Sequence, residues 1–262
     1  MEIYIFYTFV FIIGTLLGSF FGLAISRIPN GQNITHKRSY CPKCNHQLGF
    51  FDLIPILSYI ILKGKCKYCK EKISPKYLLL EIFAGFLFLI FAIAVDININ
   101  RISTFAATTL VMGSIYIATL FLIGSVDRET RNIPKGVMIF GLIVQTLYIV
   151  YLYMLEVNIY RYIMYLFIML ILMIVETIYL KKKGKSIYGI QLFILCMYIV
   201  MWVREDLAIL SIIITLWMIV IEQILKEPNK EITDTKIESV PIASWICFSS
   251  ITLFIIESFL RR

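Results

Sequence analysis

Four cysteines stand in two pairs that have the spacing of metal ligands. Cys41 and Cys44 form the first pair, Cys66 and Cys69 form the second, and 21 residues separate the two pairs. A CxxC turn directs two sulfurs at one point, and two such turns supply the four thiolates of a closed structural Zn²⁺ site. Lysines beside both pairs would offset the negative charge of that centre. The pattern therefore predicts a structural zinc site.

Redox chemistry is the alternative for the same cysteines, either as two disulfides or as an exchanging dithiol. It is the less favoured interpretation, because the charge pattern places this segment in the cytosol, where disulfides are scarce. A redox CxxC also usually opens a helix in a βαβ setting that this sequence lacks. His46, two residues past Cys44, is a possible competing ligand. Cys196 and Cys247 lie in apolar runs and are expected to be packing residues.

An acidic residue, Asp127, closes a long apolar run at the start of the segment DRETRNIP. Ionisable residues at membrane depth usually face a bundle interior or a water-filled cavity, which makes Asp127 a candidate catalytic residue. Two acids that share one proton can divide the work of peptide hydrolysis, one as base on water and the other as acid. Asp127 would then need a partner. The alternative is that it only marks a helix end, paired with Arg128 or Arg131.

Composition identifies the elements that must carry these residues. Hydrophobic residues make up 60% of the 262 positions and charged residues 16%, against about 45–50% and about 25% in soluble domains. The apolar residues form runs near the length that crosses a bilayer. We therefore predict an all-α membrane protein, a polytopic bundle of about eight transmembrane helices with a cytosolic four-cysteine zinc-binding loop. The predicted spans are 3–25, 77–95, 102–126, 136–155, 161–180, 187–203, 207–225 and 240–259.

Basic residues predict the orientation, since Lys and Arg in short loops stay on the cytosolic side. Twenty of the 25 fall in four loops that share one side when the N-terminus is outside: 26–76, 127–135, 181–185 and 226–238. This predicts a multi-pass protein of the cytoplasmic membrane, in contact with lipid, with the cysteine loop in the cytosol. The net charge of +8 is then topogenic, and nucleic-acid binding is not expected.

Three parts follow from the same pattern: a first transmembrane helix at 1–25, the four-cysteine loop at 26–76 and a seven-helix membrane domain at 77–262. The first run begins with Glu2 and lacks a small-residue cleavage site, so we expect it to be a retained helix and not a signal peptide. The polar stretch 226–238 is expected to be a solvated connector.

The motifs together resemble those of the bacterial type IV prepilin peptidases. The matching residues are Gly18-Ser19-Phe20, Arg27-Ile28-Pro29, the two cysteine pairs, Asp52-x-Ile54-Pro55-x-Leu57-Ser58, Ile73-Ser74-Pro75-x-Tyr77, Glu81, and Asp127 with Pro134. The resemblance implies an intramembrane aspartic endopeptidase that removes the leader of type IV prepilins or pseudopilins. It also implies N-methylation of the new terminus with S-adenosylmethionine. Asp127 is the position that the resemblance assigns to the first catalytic aspartate.

The second catalytic aspartate of that family belongs to a Gly-x-Gly-Asp motif, which is degenerate here. Aligning the motif on Gly189-Ile190-Gln191-Leu192 puts Gly189 where the aspartate should be, with Ser186 and Tyr188 in place of the glycines. Another acid could substitute, and Glu81, Glu176 and Glu222 are the candidates; helix-end solvation and snorkelling are the structural alternatives for them. The chain could instead be a pseudoenzyme that binds prepilins without cleaving them. A zinc-sensing channel or transporter is a third interpretation, since it also has metal ligands and many spans.

Overall fold

The computed structural model describes residues 2–32, 34, 38–96, 103–183, 188–226 and 241–260, and the predicted connector at 226–238 therefore lies almost wholly outside the described residues. Eight long α-helices, one short α-helix and one four-residue 3₁₀-helix (Phe50–Leu53) are present over these residues. The α-helices are α1 (Glu2–Arg27), α2 (Leu57–Ile61), α3 (Pro75–Val95), α4 (Thr104–Thr130), α5 (Lys135–Met154), α6 (Tyr160–Lys183), α7 (Tyr188–Trp202), α8 (Glu205–Lys226) and α9 (Ile242–Leu260).

The eight long helices lie where the eight apolar runs predicted them. Among the described residues, six are long and apolar enough by length and composition to cross a membrane: α1, α3, α4, α5, α6 and α9. The α7 helix is apolar but has 15 residues, about 22 Å at 1.5 Å per residue, which is shorter than a hydrocarbon core of about 30 Å. The predicted all-α membrane architecture is confirmed, and α7 is its shortest long element.

The chain divides into two compact units, residues 1–114 and residues 115–261. In the first unit, α1 packs along α3 through small residues. A Cβ added at Gly14 would lie 2.9 Å from the Cα of Gly85, and one added at Gly18 would lie 2.8 Å from the Cα of Glu81. Lipid tails are as apolar as leucine, so close backbone approach at small residues is what holds membrane helices together.

The second unit is built around α7, which packs against α5, α6, α8 and α9. Its inner face buries Gln191, Ile194, Leu195, Tyr198, Ile199 and Met201. The Tyr198 hydroxyl lies 3.0 Å from that of Thr119 on α4. At the end of α7, the Trp202 ring stacks on Tyr116 and on Tyr148, with centroid separations of 4.9 and 4.8 Å. The shortest of the long helices is therefore the one that packs against four other helices of the second unit.

The predicted division into 1–25, 26–76 and 77–262 stays a prediction, since the two compact units describe packing and not function. The cysteine loop belongs wholly to the first unit, whereas Asp127 and everything that contacts it belong to the second. The two candidate sites can therefore be described separately.

Candidate functional sites: a four-cysteine cluster and a buried aspartate

Each cysteine pair sits in a turn of the same design. The Cys41 amide donates to the His46 carbonyl at 3.0 Å, and the Asn45 amide donates back to the Cys41 carbonyl at 2.8 Å. The second turn repeats this arrangement, with Cys66 bonded to Glu71 at 2.8 Å and Lys70 to Cys66 at 3.0 Å. Asn45 and Lys70 have φ of 56° and 61°, in the left-handed region that closes such turns. Two copies of one local structure thus present two sulfurs each.

The two turns bring the four predicted cysteines together. Their sulfurs all lie within 4.8 Å of one another, and the Sγ atoms of Cys41 and Cys69 are 3.8 Å apart. Four sulfurs about 2.3 Å from a tetrahedral ion would be about 3.8 Å from each other, so the cluster has the dimensions of a zinc site. All four are free thiols in this arrangement. His46 stacks on the Tyr68 ring at 3.5 Å and is not part of the cluster.

The thiols of the cluster differ in acidity. Backbone N–H groups of Cys44 and Lys43 donate toward the Cys41 sulfur and lower the pKa of Cys41 to about 7. The backbone at Glu71 acts in the same direction on Cys69, but loss of water and the thiols of Cys66, Cys44 and Cys41 raise the pKa of Cys69 to about 11. Without a metal ion, ionisation of one thiol therefore opposes ionisation of its neighbours, whereas a divalent cation would favour all four thiolates.

A cavity of about 600 Å³ lies between the cysteine turns and the helices α1 and α3. Its walls combine aromatic, basic and acidic side chains. They include Arg27, Tyr40, Lys43, Asp52, Tyr59, Leu62, Lys67, Tyr77 and Glu81. Small-molecule sites usually have volumes of about 300–1,000 Å³. The first unit therefore contains a second feature with the dimensions of a binding site, next to the cysteines.

Glu81, one of the candidate substitutes for the missing aspartate, has a structural partner in the first unit. Its Oε2 atom accepts the backbone N–H of Ile56 at 2.8 Å. Ile56 has a φ of 63°, a conformation that is costly for a β-branched residue. The charge-assisted hydrogen bond from α3 helps to hold that strained turn. Glu81 thus anchors the loop to the membrane helix.

Asp127 lies in the last turn of α4 and is completely buried. Both of its oxygens accept hydrogen bonds: Oδ1 from the Tyr188 hydroxyl at 2.8 Å and Oδ2 from the Ser244 amide at 2.9 Å. Gly124, one turn earlier, allows α9 to come this close, because a Cβ there would lie 3.1 Å from the Cβ of Cys247. The carboxylate therefore meets the first turn of α9, where backbone N–H groups lack partners within the helix.

The helix-end interpretation paired Asp127 with Arg128 or Arg131. Among the described residues neither arginine donates a hydrogen bond to Asp127, although Arg131 lies within electrostatic range of it. The Arg128 guanidinium lies 5.7 Å from the centre of the Trp245 ring. The Nη1 atom of Arg131 is buried and has no hydrogen-bond partner among the described residues. Asp127 is bound instead by α7 and α9, so it is an interior residue and more than the end of a helix.

The remaining acids of the second unit have partners of their own. Glu176 is buried, accepts a hydrogen bond from Gln191 Nε2 at 3.0 Å and lies 3.1 Å from Lys135 Nζ. Glu222 accepts a hydrogen bond from Trp245 Nε1 at 2.7 Å. Glu176 therefore does not extend toward the membrane surface, as the snorkelling interpretation required, but is held inside the bundle by these partners. Among the described residues, no carboxylate is hydrogen-bonded to Asp127.

Sequence reasoning missed Tyr188 and Ser244 as partners of Asp127. Tyr188 was considered only as the replacement of a glycine, yet its hydroxyl is the side-chain group that contacts the carboxylate. Gly189, the position that alignment assigned to the missing aspartate, is exposed. Tyr188 is a polar aromatic residue at the first position of an apolar helix, and this was the one sequence feature that could have indicated a polar contact there. For Ser244 there was none, because a backbone amide is the group involved.

Helical spans, the cysteine cluster and an interior carboxylate define the class: a polytopic membrane protein with a metal-type loop domain. Residues 12–95 match the family described as the bacterial peptidase A24 N-terminal domain. Over this part of the chain the protein is similar to the bacterial type IV prepilin peptidases. The resemblance found in the sequence motifs is thereby confirmed.

Several curated relatives share the description prepilin leader peptidase/N-methyltransferase. The protein of Myxococcus xanthus is 40% identical over 84 residues, which cover 32% of this chain and 25% of the relative. That of Bacillus subtilis is 35% identical over 133 residues, 51% of this chain and 50% of the relative. That of Klebsiella pneumoniae is 30% identical over 135 residues, 49% of this chain and 55% of the relative.

The matches thus cover between a quarter and about half of these relatives' length. No solved structure matches the chain significantly. The match to the family's N-terminal domain lies within the first unit. The matches over 133 and 135 residues are longer than that unit and therefore extend into the second one.

Proposed function

We propose that this protein is an intramembrane endopeptidase that processes type IV prepilins or pseudopilins. The observation that carries the proposal is the peptidase A24 N-terminal domain at residues 12–95, shared with relatives named prepilin leader peptidase/N-methyltransferase. Prepilin leaders are short and basic and precede an apolar helix, so a substrate of this kind would reach the enzyme from the membrane. The membrane character of the chain supports this partner.

Asp127 is the carboxylate to which we assign the proteolytic chemistry. It is fully buried at the end of an apolar helix and is oriented by hydrogen bonds from two other helices. Burying a carboxylate in a membrane bundle is costly and needs a reason beyond packing. A base that removes a proton from water supplies such a reason.

The four cysteines are proposed to hold a structural Zn²⁺ ion. The sulfur separation and the all-thiolate donor set fit zinc, which prefers tetrahedral sulfur ligation in structural sites. When bound, the ion would join the two turns that contain Cys41 and Cys66 and hold the loop as a small domain. It would have no open coordination position and so no part in peptide hydrolysis.

The protein is proposed to lie in the cytoplasmic membrane. Its N-terminus would face outside and its cysteine loop would face the cytosol. The loop 26–76 carries the largest group of basic residues, which the positive-inside rule places there. Lipid surrounds the helices, and nucleic acid is not a partner in this proposal.

N-methylation of the processed terminus is the second activity that we propose, since the relatives' name includes it. S-adenosylmethionine, which supplies the methyl group, is assigned to the cavity of about 600 Å³ beside the cysteines. Asp52 and Tyr59 in its wall offer a carboxylate and an aromatic ring, two groups that attract a sulfonium cation. These residues would bind and orient the donor.

Reconstituted protein and a prepilin with an intact leader test the proposal. The purified full chain is mixed in detergent with the substrate, with or without S-adenosylmethionine, and the products are weighed by mass spectrometry. We expect loss of the leader in both reactions and the mass of one added methyl group in the second. Asp127→Asn should abolish leader loss, because the amide cannot accept the proton from water.

Asp206→Asn is the matched control, since Asp206 is exposed and paired with Arg204 at 2.9 Å. It should cleave at the wild-type rate. Binding of the prepilin with no cleavage at high protein concentration would overturn the endopeptidase function in favour of a pseudoenzyme. Cleavage that survives in Asp127→Asn would overturn the assignment of Asp127 alone.

A further inference from the structure

The start of α7 places a hydroxyl, and not a second carboxylate, against Asp127. The Tyr188 hydroxyl donates to Asp127 Oδ1 at 2.8 Å and accepts the Ala243 amide at 3.1 Å. The Ser244 amide donates to the other carboxylate oxygen at 2.9 Å. Hydroxyl and carboxylate are thus held as a pair by two consecutive N–H groups of the first turn of α9.

Helix geometry separates the two positions that could carry the partner of Asp127. Successive residues of an α-helix point about 100° apart, at 3.6 residues per turn. Tyr188 is half-buried and faces Asp127, while Gly189 is exposed. A side chain added at Gly189 would point away from the direction of Tyr188. The three-dimensional counterpart of the second acid is therefore position 188.

We propose, on the basis of the endopeptidase function proposed above, that the Tyr188 hydroxyl is the hydrogen-bond donor of the catalytic pair, which stabilises the developing oxyanion, and that Asp127 is the base that takes the proton from water. A phenol is a hydrogen-bond donor at neutral pH, since its ordinary pKa is about 10. It cannot exchange roles with a carboxylate as two aspartates do. The base must therefore be Asp127.

The peptide hydrolysis step balances with these two groups. Asp127 takes a proton from water as the water oxygen bonds to the scissile carbonyl carbon. The Tyr188 hydroxyl turns its hydrogen bond from Asp127 to the carbonyl oxygen, where negative charge develops. When the C–N bond breaks, the leaving amine takes the proton from Asp127. Both side chains return to their starting states and water is divided between the two products.

Other charged groups surround the pair. Arg131, the residue after the end of α4, lies within electrostatic range of Asp127, and Arg128 on α4 lies over Trp245. Glu222 on α8 accepts from Trp245, and the Cys247 thiol lies one turn after Ser244 on α9. Glu176 on α6 accepts a hydrogen bond from Gln191 on α7 and is paired with Lys135 on α5. Among the described residues, no other carboxyl group is hydrogen-bonded to Asp127.

Three variants test the assignment in the prepilin cleavage assay. Tyr188→Phe removes only the hydroxyl and should lower kcat at least about 100-fold with little change in KM, the usual size of a lost oxyanion donor. Tyr188→Asp should cleave faster than Tyr188→Phe and should lose activity as pH rises, because the added carboxylate must be protonated to donate. Gly189→Asp, one residue on and exposed, should cleave like the wild type.

The pH profile distinguishes a chemical role from a structural one. Wild-type activity should stay level from neutral pH upward until the phenol ionises, whereas the Tyr188→Asp optimum should move to acid pH. The inference would be overturned if Tyr188→Phe cleaved at the wild-type rate, or if Gly189→Asp cleaved faster than the wild type while Tyr188→Asp was inactive. Either result would leave the endopeptidase function standing. A wild-type protein that binds prepilin and never cleaves it would overturn both. Thermal unfolding in detergent identifies a variant that fails to fold. If a variant does not fold, the pH profile of the wild type tests the role of Tyr188 instead, and a loss of activity well below the pH at which a phenol ionises would contradict it.

Discussion

Cys41 and Cys69 show how a cluster of identical side chains becomes chemically unequal. One thiol has its pKa lowered to about 7 and the other has its pKa raised to about 11, so the metal-free cluster does not carry four negative charges at neutral pH. A metal ion must displace the remaining protons in order to bind. The acidity of the thiols would therefore control how tightly the loop binds a metal ion.

Zinc affinity should consequently rise with pH. Cys69 is protonated below about pH 11, so binding at neutral pH releases its proton and affinity increases about tenfold per pH unit for each proton displaced. Below about pH 7, Cys41 is protonated as well and the dependence should steepen. Competition with a chromophoric chelator at several pH values measures this slope.

Substitution provides the control for the zinc prediction. Cys66→Ser should lower the zinc content of the purified protein from one ion to near none, because Cys66 is a buried member of the cluster. Cys196→Ser should leave zinc content unchanged, since that thiol lies in α7 and outside the cluster. An affinity that is independent of pH would contradict four-thiolate ligation.

At the scale of elements, the contact between α1 and α3 is the clearest case in which small residues determine packing. Gly18 lies so close to α3 that a Cβ would be 2.8 Å from the Cα of Glu81 and 2.9 Å from the Cβ of Ala84. Glu81 also holds the turn at Ile56. A shift of α1 would therefore disturb both the helix pair and the loop.

Gly18→Leu should destabilise the first unit by about 1–3 kcal/mol, the usual cost of forcing extra carbons into a packed contact. Gly136→Leu is the matched control, because a Cβ at Gly136 has no neighbour within 4 Å. Thermal unfolding of both variants in detergent, followed by helical signal, measures the difference. Equal stabilities would mean that the close helix contact does not form in the membrane protein.

A second element-scale feature joins three helices of the second unit. Lys135 on α5, Glu176 on α6 and Gln191 on α7 form a chain of polar contacts at 3.1 and 3.0 Å. Gln191 Oε1 also lies 3.5 Å from the amide of buried Ile133 in the turn before α5. Glu176 was a candidate to replace the missing aspartate. Its partners give it a structural explanation instead.

At the scale of the whole molecule, the distribution of basic residues predicts sidedness. Trypsin should cleave the loop 26–76 in inside-out membrane vesicles and spare it in right-side-out ones, because ten Lys and Arg residues lie in that loop. Gel fragments detected with an antibody to the loop measure this. Cleavage near Arg161 and Arg204, which are predicted to face outside, is the internal control. The opposite pattern would reverse the proposed topology.

The helices and the cysteine cluster could both be predicted from the amino-acid sequence. A run of about 20 apolar residues forms a membrane helix whatever its neighbours are, since every backbone group is satisfied within the helix. A CxxC turn is equally local, with the Asn45 amide bonded to the Cys41 carbonyl four residues back. The motif resemblance rested on the same short-range patterns.

The surroundings of Asp127, in contrast, follow from the packing of distant helices and could not be read from the sequence. Its partners Tyr188 and Ser244 are 61 and 117 residues away in the chain, so no local pattern could pair them. Alignment pointed to Gly189, but the direction of a side chain depends on how α7 is rotated against α4 and α9. That rotation follows from the packing of the bundle, and it turns Tyr188 inward and leaves Gly189 exposed.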